Sequence, residues 1–471
     1  MKRYEALAEE IAQSIRTDVL KTGDRLPSVR QAGASRGVSA STVFQAYYLL
    51  EARGLIRARE RSGYYVMAGA KPHLPELENA SRPTAESTPV DVSELVFDIL
   101  ESAKNREVVP FGSAFPSPLL FPFARLARSM AASIQAMDPW STVDDLTPGH
   151  AGLRRQIALR YLADGMHVHP DDIVVTNGAL EALNLCLHAV ARPGDCVVIE
   201  SPTFYGALQA LEGLGLKAIQ VATHPRDGMD LGQLALALER HRPRACWLMT
   251  NFQNPLGSLM SDEKKQALVA LLAQHEVALI EDDVYGELYF GSRRPLPAKA
   301  FDKTGLVMHC SSFSKCLAPG YRVGWAVPGR FRRDVARLKL TSTLSASVPS
   351  QAAIADYLSK GGYDRHLRQL RHALSVQQGE MIRAVVKHFP PGTRATRPQG
   401  GYFLWIELAQ HVDALDIQRI ALAQGISVAP GPMFSAERKF RNCLRLNYGH
   451  PWHERTEAAM ATLGRIISMA G

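Results

Sequence analysis

The 471-residue sequence has no apolar run approaching the roughly 20 residues that span a bilayer. Its start, Met1-Lys2-Arg3-Tyr4-Glu5, leads into acidic residues, not into the apolar stretch of a secretion signal. A cytoplasmic protein with no membrane partner is therefore expected. Cysteine is scarce. The six cysteines, at 186, 196, 246, 310, 316 and 443, form no close pair and sit beside no histidine cluster. That argues against a disulfide framework and a metal centre, and buried reduced thiols are expected. Charged residues make up 21 % and hydrophobic residues 46 %, the balance of a globular chain with sizeable cores.

The formal net charge is +8, and its distribution says more than its size. Residues 1–67 hold eleven Lys/Arg and seven Asp/Glu, so net +4 falls on a short N-terminal stretch. Residues 68–90 carry Pro72, Pro75, Pro83 and Pro89 among Glu, Ser, Thr and Ala, and read as a semi-rigid linker. From Asp91 to Gly471, short apolar strands alternate with amphipathic helices, which predicts an α/β body with a mostly parallel sheet. Strands are predicted at Ile173–Thr176, Cys196–Glu200, Ala245–Thr250, Val277–Glu281, Val307–Ser311 and Arg322–Val327. The long helices after Pro349 suggest a smaller C-terminal subdomain, about 350–471.

In the head, Tyr4, Leu7, Ala8, Ile11 and Ile15 share one helical face. Gly23 ends that helix. Ser28 can cap a second helix and Ser39 a third, whose inner face is Val43, Tyr47 and Leu50. Gly54 stops the third helix. Leu55–Arg59 and Tyr64–Met67 are strand-like, joined through Arg61-Ser62-Gly63. Three helices and a hairpin make a winged helix-turn-helix. The start of the third helix, Ser39-Ala40-Ser41-Thr42, offers hydroxyls and free N–H groups to phosphates. Gln45 is placed to read a base edge. Arg25 and Arg30 flank the second helix, and Arg57, Arg59 and Arg61 line the wing. The plainer alternative is a small helical cap with a solvated basic face.

Leu26-Pro27-Ser28-Val29-Arg30, Val38-Ser39, Thr42-Val43, Ala46-Tyr47, Leu50-Glu51, Gly54-Leu55-Ile56 and Gly63-Tyr64-Tyr65-Val66 together resemble the GntR-type DNA-binding domain. The resemblance covers nearly all of residues 1–67. It implies that Arg30, Ser39, Ser41, Thr42 and the wing at Ser62-Gly63 face double-stranded operator DNA. Ala40 stands where that family often has Arg, Ala32-Gly33 replaces the usual Leu-Ala, and Arg36 replaces an apolar residue. These departures bear on which bases are read.

The body carries four blocks, each following a predicted strand. Ser311-Ser312-Phe313-Ser314-Lys315 puts a lysine in a small polar loop, where an amine acts as a nucleophile once its pKa falls. Arg322, seven residues on, suits bidentate phosphate binding. Glu281-Asp282-Asp283-Val284-Tyr285 places carboxylates at a strand's C-terminal edge, where α/β sheets bind ligands. Asn251-Phe252-Gln253-Asn254-Pro255-Leu256-Gly257 is ordinary turn chemistry by itself. Thr176-Asn177-Gly178-Ala179-Leu180-Glu181 enters a helix through a glycine, the form of a phosphate cradle.

In this order and spacing the blocks resemble the fold type I, aspartate aminotransferase-like superfamily, from about Val109 to the C-terminus. The resemblance implies pyridoxal phosphate as cofactor, held by a Schiff base to Lys315. It implies that Asp282 pairs with the pyridine nitrogen and that Tyr285 and Asn254 hold the ring oxygen. Phe204 would stack on the ring, with Tyr205 as rival. Gly178, Ala179, Ser312, Ser314 and Arg322 would take the phosphate. Arg445, in Asn442-Cys443-Leu444-Arg445-Leu446-Asn447-Tyr448, would clamp an α-carboxylate. One feature departs from the pattern. The tyrosine usually found about five residues before the Gly-x-x-x-Leu-Arg segment is replaced by Asp144-Asp145-Leu146, ahead of Gly149-His150-Ala151-Gly152-Leu153-Arg154.

A GntR-like head on an aminotransferase-like body is the layout of the MocR group of regulators. That resemblance implies a homodimer, which responds to pyridoxal phosphate or to an amino compound held as its external aldimine. The alternative is a working aminotransferase with an accessory DNA-binding head.

Overall fold

A computed structural model describes every residue except 1–2, 17–18, 22, 53, 60–61, 68–73, 103–104 and 471. Arg61 of the expected wing lies outside the described residues, as does the side chain of Arg59.

The head consists of α1 (Arg3–Arg16), α2 (Val29–Arg36), α3 (Ala40–Ala52) and the antiparallel hairpin β1 (Ile56–Arg59) and β2 (Gly63–Val66). Leu7, Ile11 and Ile15 of α1 meet Val43, Tyr47 and Leu50 of α3 in one buried cluster, as the three- and four-residue spacing requires. Ser28 caps α2, its hydroxyl accepting from the Gln31 N–H at 3.3 Å. Gly37 ends that helix at φ 63°, a conformation that glycine adopts without strain. The Tyr47 hydroxyl donates to the Pro27 carbonyl at 2.8 Å and ties α3 to the start of α2.

The body is built on a nine-stranded sheet. Its order is Ser87–Pro89, Lys217–His224, Cys196–Ser201, Ala245–Leu248, Ala278–Asp282, Val307–Ser312, Gly324–Val327, Val174–Thr176, with Gly228–Met229 paired off this path to Lys217–His224. The central five strands are mutually parallel, while Gly324–Val327 and the edge strand Ser87–Pro89 run antiparallel to their neighbours. Side chains alternate between two cores. Val197, Ile199, Trp247 and Ile280 face one, and Val198, Cys246, Leu248 and Leu279 face the other. Helices cover both faces, as burial of a parallel sheet demands.

Two expectations change. The linker expected at 68–90 is, from Leu74 onward, part of the body. Leu74 and Val90 are buried, Arg397 donates to the Leu74 carbonyl, and Ser87–Pro89 pairs with Lys217–Ile219. Prolines do not prevent this, because an edge strand needs hydrogen bonds on one side only. The small subdomain also reaches outside 350–471. Its four-stranded sheet, Arg394–Ala395, Phe403–Glu407, Cys443–Asn447 and Ala429–Pro430, lies within that range, but Val109–Pro110 pairs in parallel with Ile426–Ser427.

Candidate functional site

Three adjacent parallel strands, Ala245–Leu248, Ala278–Asp282 and Val307–Ser312, deliver their C-terminal ends to one cavity of 280 Å³. Asn254, Asp282, Tyr285, Ser312, Ser314 and Lys315 all line it, with Ala179, Phe204, Tyr205 and Arg322. Parallel strands end together, so residues far apart in sequence converge at one edge.

Lys315 is half-buried, and its ammonium donates to the Ala114 carbonyl at 2.8 Å while lying 3.7 Å from the Phe115 ring centroid. Burial pushes its pKa down to about 7, the Arg445 and Arg322 cations add to the fall, and Asp282 opposes it. Asp282 is buried, and its Oδ1 has no partner. Burial pushes this carboxyl up to about 7 against the Val284 N–H bond, with Asp283 and Glu281 adding to the rise. A buried polar atom without a partner is costly in a native fold. Here it fits the protonated ring nitrogen that the cofactor presents to an acid.

Gly178 precedes the helix Ala179–Val190 at φ 85°, and a Cβ there would stand 2.4 Å from Arg322 Nη2. The Arg322 guanidinium donates to Ser314 Oγ and to the Asn177 carbonyl, each at 3.3 Å. The Ser314 N–H in turn donates to Ser312 Oγ at 3.3 Å. A helix N-terminus, a guanidinium and two hydroxyls thus converge, which fits a phosphate dianion.

Arg445 is wholly buried. It donates from Nη1 to Asn254 Oδ1 at 3.1 Å and from Nη2 to the carbonyls of Gly112 at 2.7 Å and Ser113 at 3.1 Å. The Phe403 and Phe434 ring centroids lie 4.1 and 5.2 Å from it. Its Nε has no partner, and no carboxylate of the described residues pairs with it. Tyr285 stands edge-on to Tyr402 and Phe403, and burial raises its phenol pKa. The Phe204 and Tyr205 rings are 4.8 Å apart and both line the cavity, so either remains placed to stack on a ligand ring.

Sequence reasoning missed Ala114, Phe115, Leu100 and Tyr402, whose hydroxyl donates to the Ala114 carbonyl at 3.0 Å. It also missed what supports the acidic triplet. Arg294 donates to Asp283 at 2.7 Å, and His309 Nδ1 lies 3.1 Å from Glu281. The run Glu281-Asp282-Asp283 was a visible signal, but its partners lie in segments with no motif. Near the absent tyrosine, His150 accepts from the Leu153 N–H at 3.1 Å and lies 3.8 Å from Asp145.

In the head, Ser39, Ser41 and Gln45 are exposed at the start of α3, and Thr42 is half-buried. Ser39 Oγ lies 2.9 Å from Ser41 Oγ and 2.8 Å from Thr42 Oγ1, and accepts from the Thr42 N–H. Arg25, Arg30, Arg57 and Gly63 are exposed. Ser62 is half-buried and bonds the Tyr65 hydroxyl at 2.7 Å. The Arg25 guanidinium passes close to Gly63, joining the second-helix side to the wing.

Residues 125–461 match the class I and II aminotransferases, and residues 3–66 match the gntR family of bacterial regulatory proteins. The uncharacterized HTH-type transcriptional regulator YdcR of Escherichia coli (strain K12) is 48 % identical over 469 residues, 99 % of each chain. The chain belongs to the MocR-like regulators of the GntR family. A second relative of this MocR-like chain, the uncharacterized HTH-type regulator YjiR of the same organism, is 38 % identical and matched over 100 % of both chains. The MocR-like body also superposes on the α-aminoadipate aminotransferase LysN of Thermus thermophilus. The TM-score is 0.73 at 29 % identity, over 80 % of this chain and 94 % of that one. Among the described residues, no helix is long and apolar enough to cross a membrane, and no group of His, Cys, Asp and Glu is placed to hold a metal ion.

Proposed function

We propose that this chain is a cytoplasmic transcription regulator that binds operator DNA through residues 1–67 and holds pyridoxal phosphate on Lys315, sensing the cofactor itself or an amino compound that reaches it. The observation that carries the reading is the pair Lys315 and Asp282 in one cavity, the lysine pushed down to about 7 and the acid left with an unpartnered oxygen. When bound, the cofactor supplies a carbonyl carbon open to amines and a ring that accepts electrons. Lys315 would attach it, and Asp282 would hold a proton on the ring nitrogen. Asn254 and Tyr285 would orient the ring oxygen, and Phe204 or Tyr205 would cover the ring face. Gly178, Ala179, Ser312, Ser314 and Arg322 would hold the phosphate, and Arg445 the carboxylate of the amino compound. In the head, Arg25, Arg30, Ser39, Ser41, Thr42, Gln45, Ser62 and Gly63 would contact DNA.

The unit is a homodimer in this reading. Large apolar side chains stand exposed on the body, Leu119 at 84 % and Trp140 at 70 %, and two heads on one dimer raise the effective concentration for a second half-site.

A second reading, an active aminotransferase, is favoured by the cavity that brings Lys315, Asp282, Asn254 and Tyr285 together. A relative, the 2-aminoadipate transaminase of Thermus thermophilus, is 30 % identical over 375 residues. The deciding experiment mixes the pure protein with pyridoxal phosphate and candidate amines, and follows the visible spectrum, DNA affinity and keto-acid-dependent turnover together. Regulation predicts DNA affinity that changes with cofactor or amine. Efficient two-substrate turnover with unchanged DNA affinity would overturn it.

A further inference from the structure

We infer that the body helix Gly362–His388 and DNA compete for the same face of α3, so that the head must leave this helix before it reads a duplex. The inference rests on the proposed DNA reading of residues 1–67. On a helix of about 3.6 residues per turn, Ser41, Gln45 and Tyr48 fall within an arc of about 60°. Val43, Tyr47 and Leu50, which fill the head core, lie on the opposite side. Ser41 and Gln45 are exposed, whereas Tyr48 is half-buried. What covers Tyr48 is the body. Its ring lies 4.1 Å from the His372 ring, tilted by 33°. Burial raises its phenol pKa, and the Arg371 cation opposes that rise. Just past the end of α3, Arg383 Nη1 stands 3.4 Å from the place of a Cβ on Gly54.

Gln45 and Tyr48 are about 4.5 Å apart along the axis, less than one turn. A helix that reads bases lies in a major groove about 8.5 Å deep and about 12 Å wide, with its outer face against the base edges. A second helix is about 10 Å across with its side chains, too thick to fit between that face and the groove floor. The face that carries Gln45 therefore cannot meet base edges while Tyr48 rests on His372. The contact also carries a cost. His372 Nδ1 is buried without a hydrogen-bond partner, and it regains water when the head departs. That cost weakens the hold that DNA must overcome.

The test uses the full-length protein and a duplex enriched from a random-sequence pool by binding to it. Carbethoxylation of histidines by diethyl pyrocarbonate, read by peptide mass spectrometry, reports whether His372 is covered. Adding the duplex should speed His372 labelling several-fold, while His309, fully buried in the sheet, should not change. The labelling reads this alike whether the two helices belong to one chain or to both chains of a dimer. His372→Ala should bind the duplex about 2- to 12-fold tighter, the worth of one aromatic pair, and keep the circular dichroism of the unaltered protein. Arg383→Ala should also bind more tightly. It is the sharper variant, because loss of a cation weakens DNA binding unless that cation was holding the head. Unchanged His372 labelling in the DNA complex overturns the inference, as do equal or weaker affinities in both variants. If no duplex is enriched, the DNA reading fails, and the inference with it.

Discussion

The ring of Tyr48, on α3 of the head, lies 4.1 Å from the ring of His372, on the body helix Gly362–His388, tilted by 33°. Farther along the same helix, Arg383 Nη1 comes within 3.4 Å of where a Cβ on Gly54 would stand. The helix proposed to read DNA is therefore also in contact with the body. Aromatic pairs of this kind contribute about 0.5–1.5 kcal/mol beyond burial. Tyr48→Ala and His372→Ala should each speed amide exchange in the second half of α3. The double variant should exceed neither single one, since contacting residues are not additive. Strictly additive effects would show that the rings do not meet in solution.

Cofactor capture should follow the charge on Lys315. Only the neutral amine is a nucleophile, and the lysine is pushed down to about 7. The second-order rate of appearance of the visible band should rise about tenfold per pH unit below 7 and level above it. Lys315→Ala should abolish the band. A rate still climbing steeply at pH 9 would place the amine near its ordinary value.

Asp282 makes an opposite prediction for the cofactor-free fold. Its folded pKa is raised from 3.8 to about 7. Its contribution to stability is therefore complete below the unfolded value near 4 and is lost as pH rises through 7. Lys315, lowered from 10.5, contributes stability above that value and loses it as pH falls through about 7. The two charges act on each other, so the comparison is made with the lysine removed, between Lys315→Ala and Lys315→Ala with Asp282→Asn. Relative to the double variant, the single variant should lose up to about 1.4 kcal/mol per pH unit from about pH 4 to at least 7. Urea unfolding of both proteins at several pH values measures this. Parallel curves would refute it.

The predicted strands lie within two residues of the observed ones at each end, because parallel core strands are short apolar runs with sharp ends. The strand Lys217–His224 was not legible. Its Gln220 and Thr223 interrupt the apolar pattern, yet both are buried. Gln220 bonds Glu437 at 2.9 Å, and Thr223 accepts from the Ser201 N–H at 3.1 Å. Such partners are tertiary, and no local pattern announces them. Asn254, Asp282, Tyr285, Ser312, Ser314, Lys315 and Arg322 were legible because ligand chemistry fixes residue types at strand ends. Phe115 and Leu100 were not, because an apolar side chain at a cavity looks like any other in the sequence.

Gly178→Ala should cripple phosphate holding. The added Cβ would meet Arg322 at 2.4 Å, and φ 85° is strained for alanine. Affinity for pyridoxal phosphate should fall at least about tenfold, whereas affinity for pyridoxal, which has no phosphate, should hardly change. Equal losses for both would move the cradle elsewhere.

Arg30→Ala and Arg57→Ala should each weaken binding to DNA of any sequence and reduce the slope of log affinity against log salt by about one. Gln45→Ala should leave that slope alone and relax sequence preference. Fluorescence anisotropy across salt concentrations separates the two. A slope unchanged by either arginine would remove it from the phosphate contacts.

Helix Gly362–His388 begins beside Cys316, the residue after Lys315. The Tyr363 hydroxyl lies 3.0 Å from Cys316 Sγ, and His366 Nε2 lies 2.7 Å from the Cys316 carbonyl. From His366 to His372 is six residues, about 9 Å along the axis. One helix therefore packs at its start against the residue next to Lys315 and, two turns on, against the head, so the candidate site and α3 share a single supporting element.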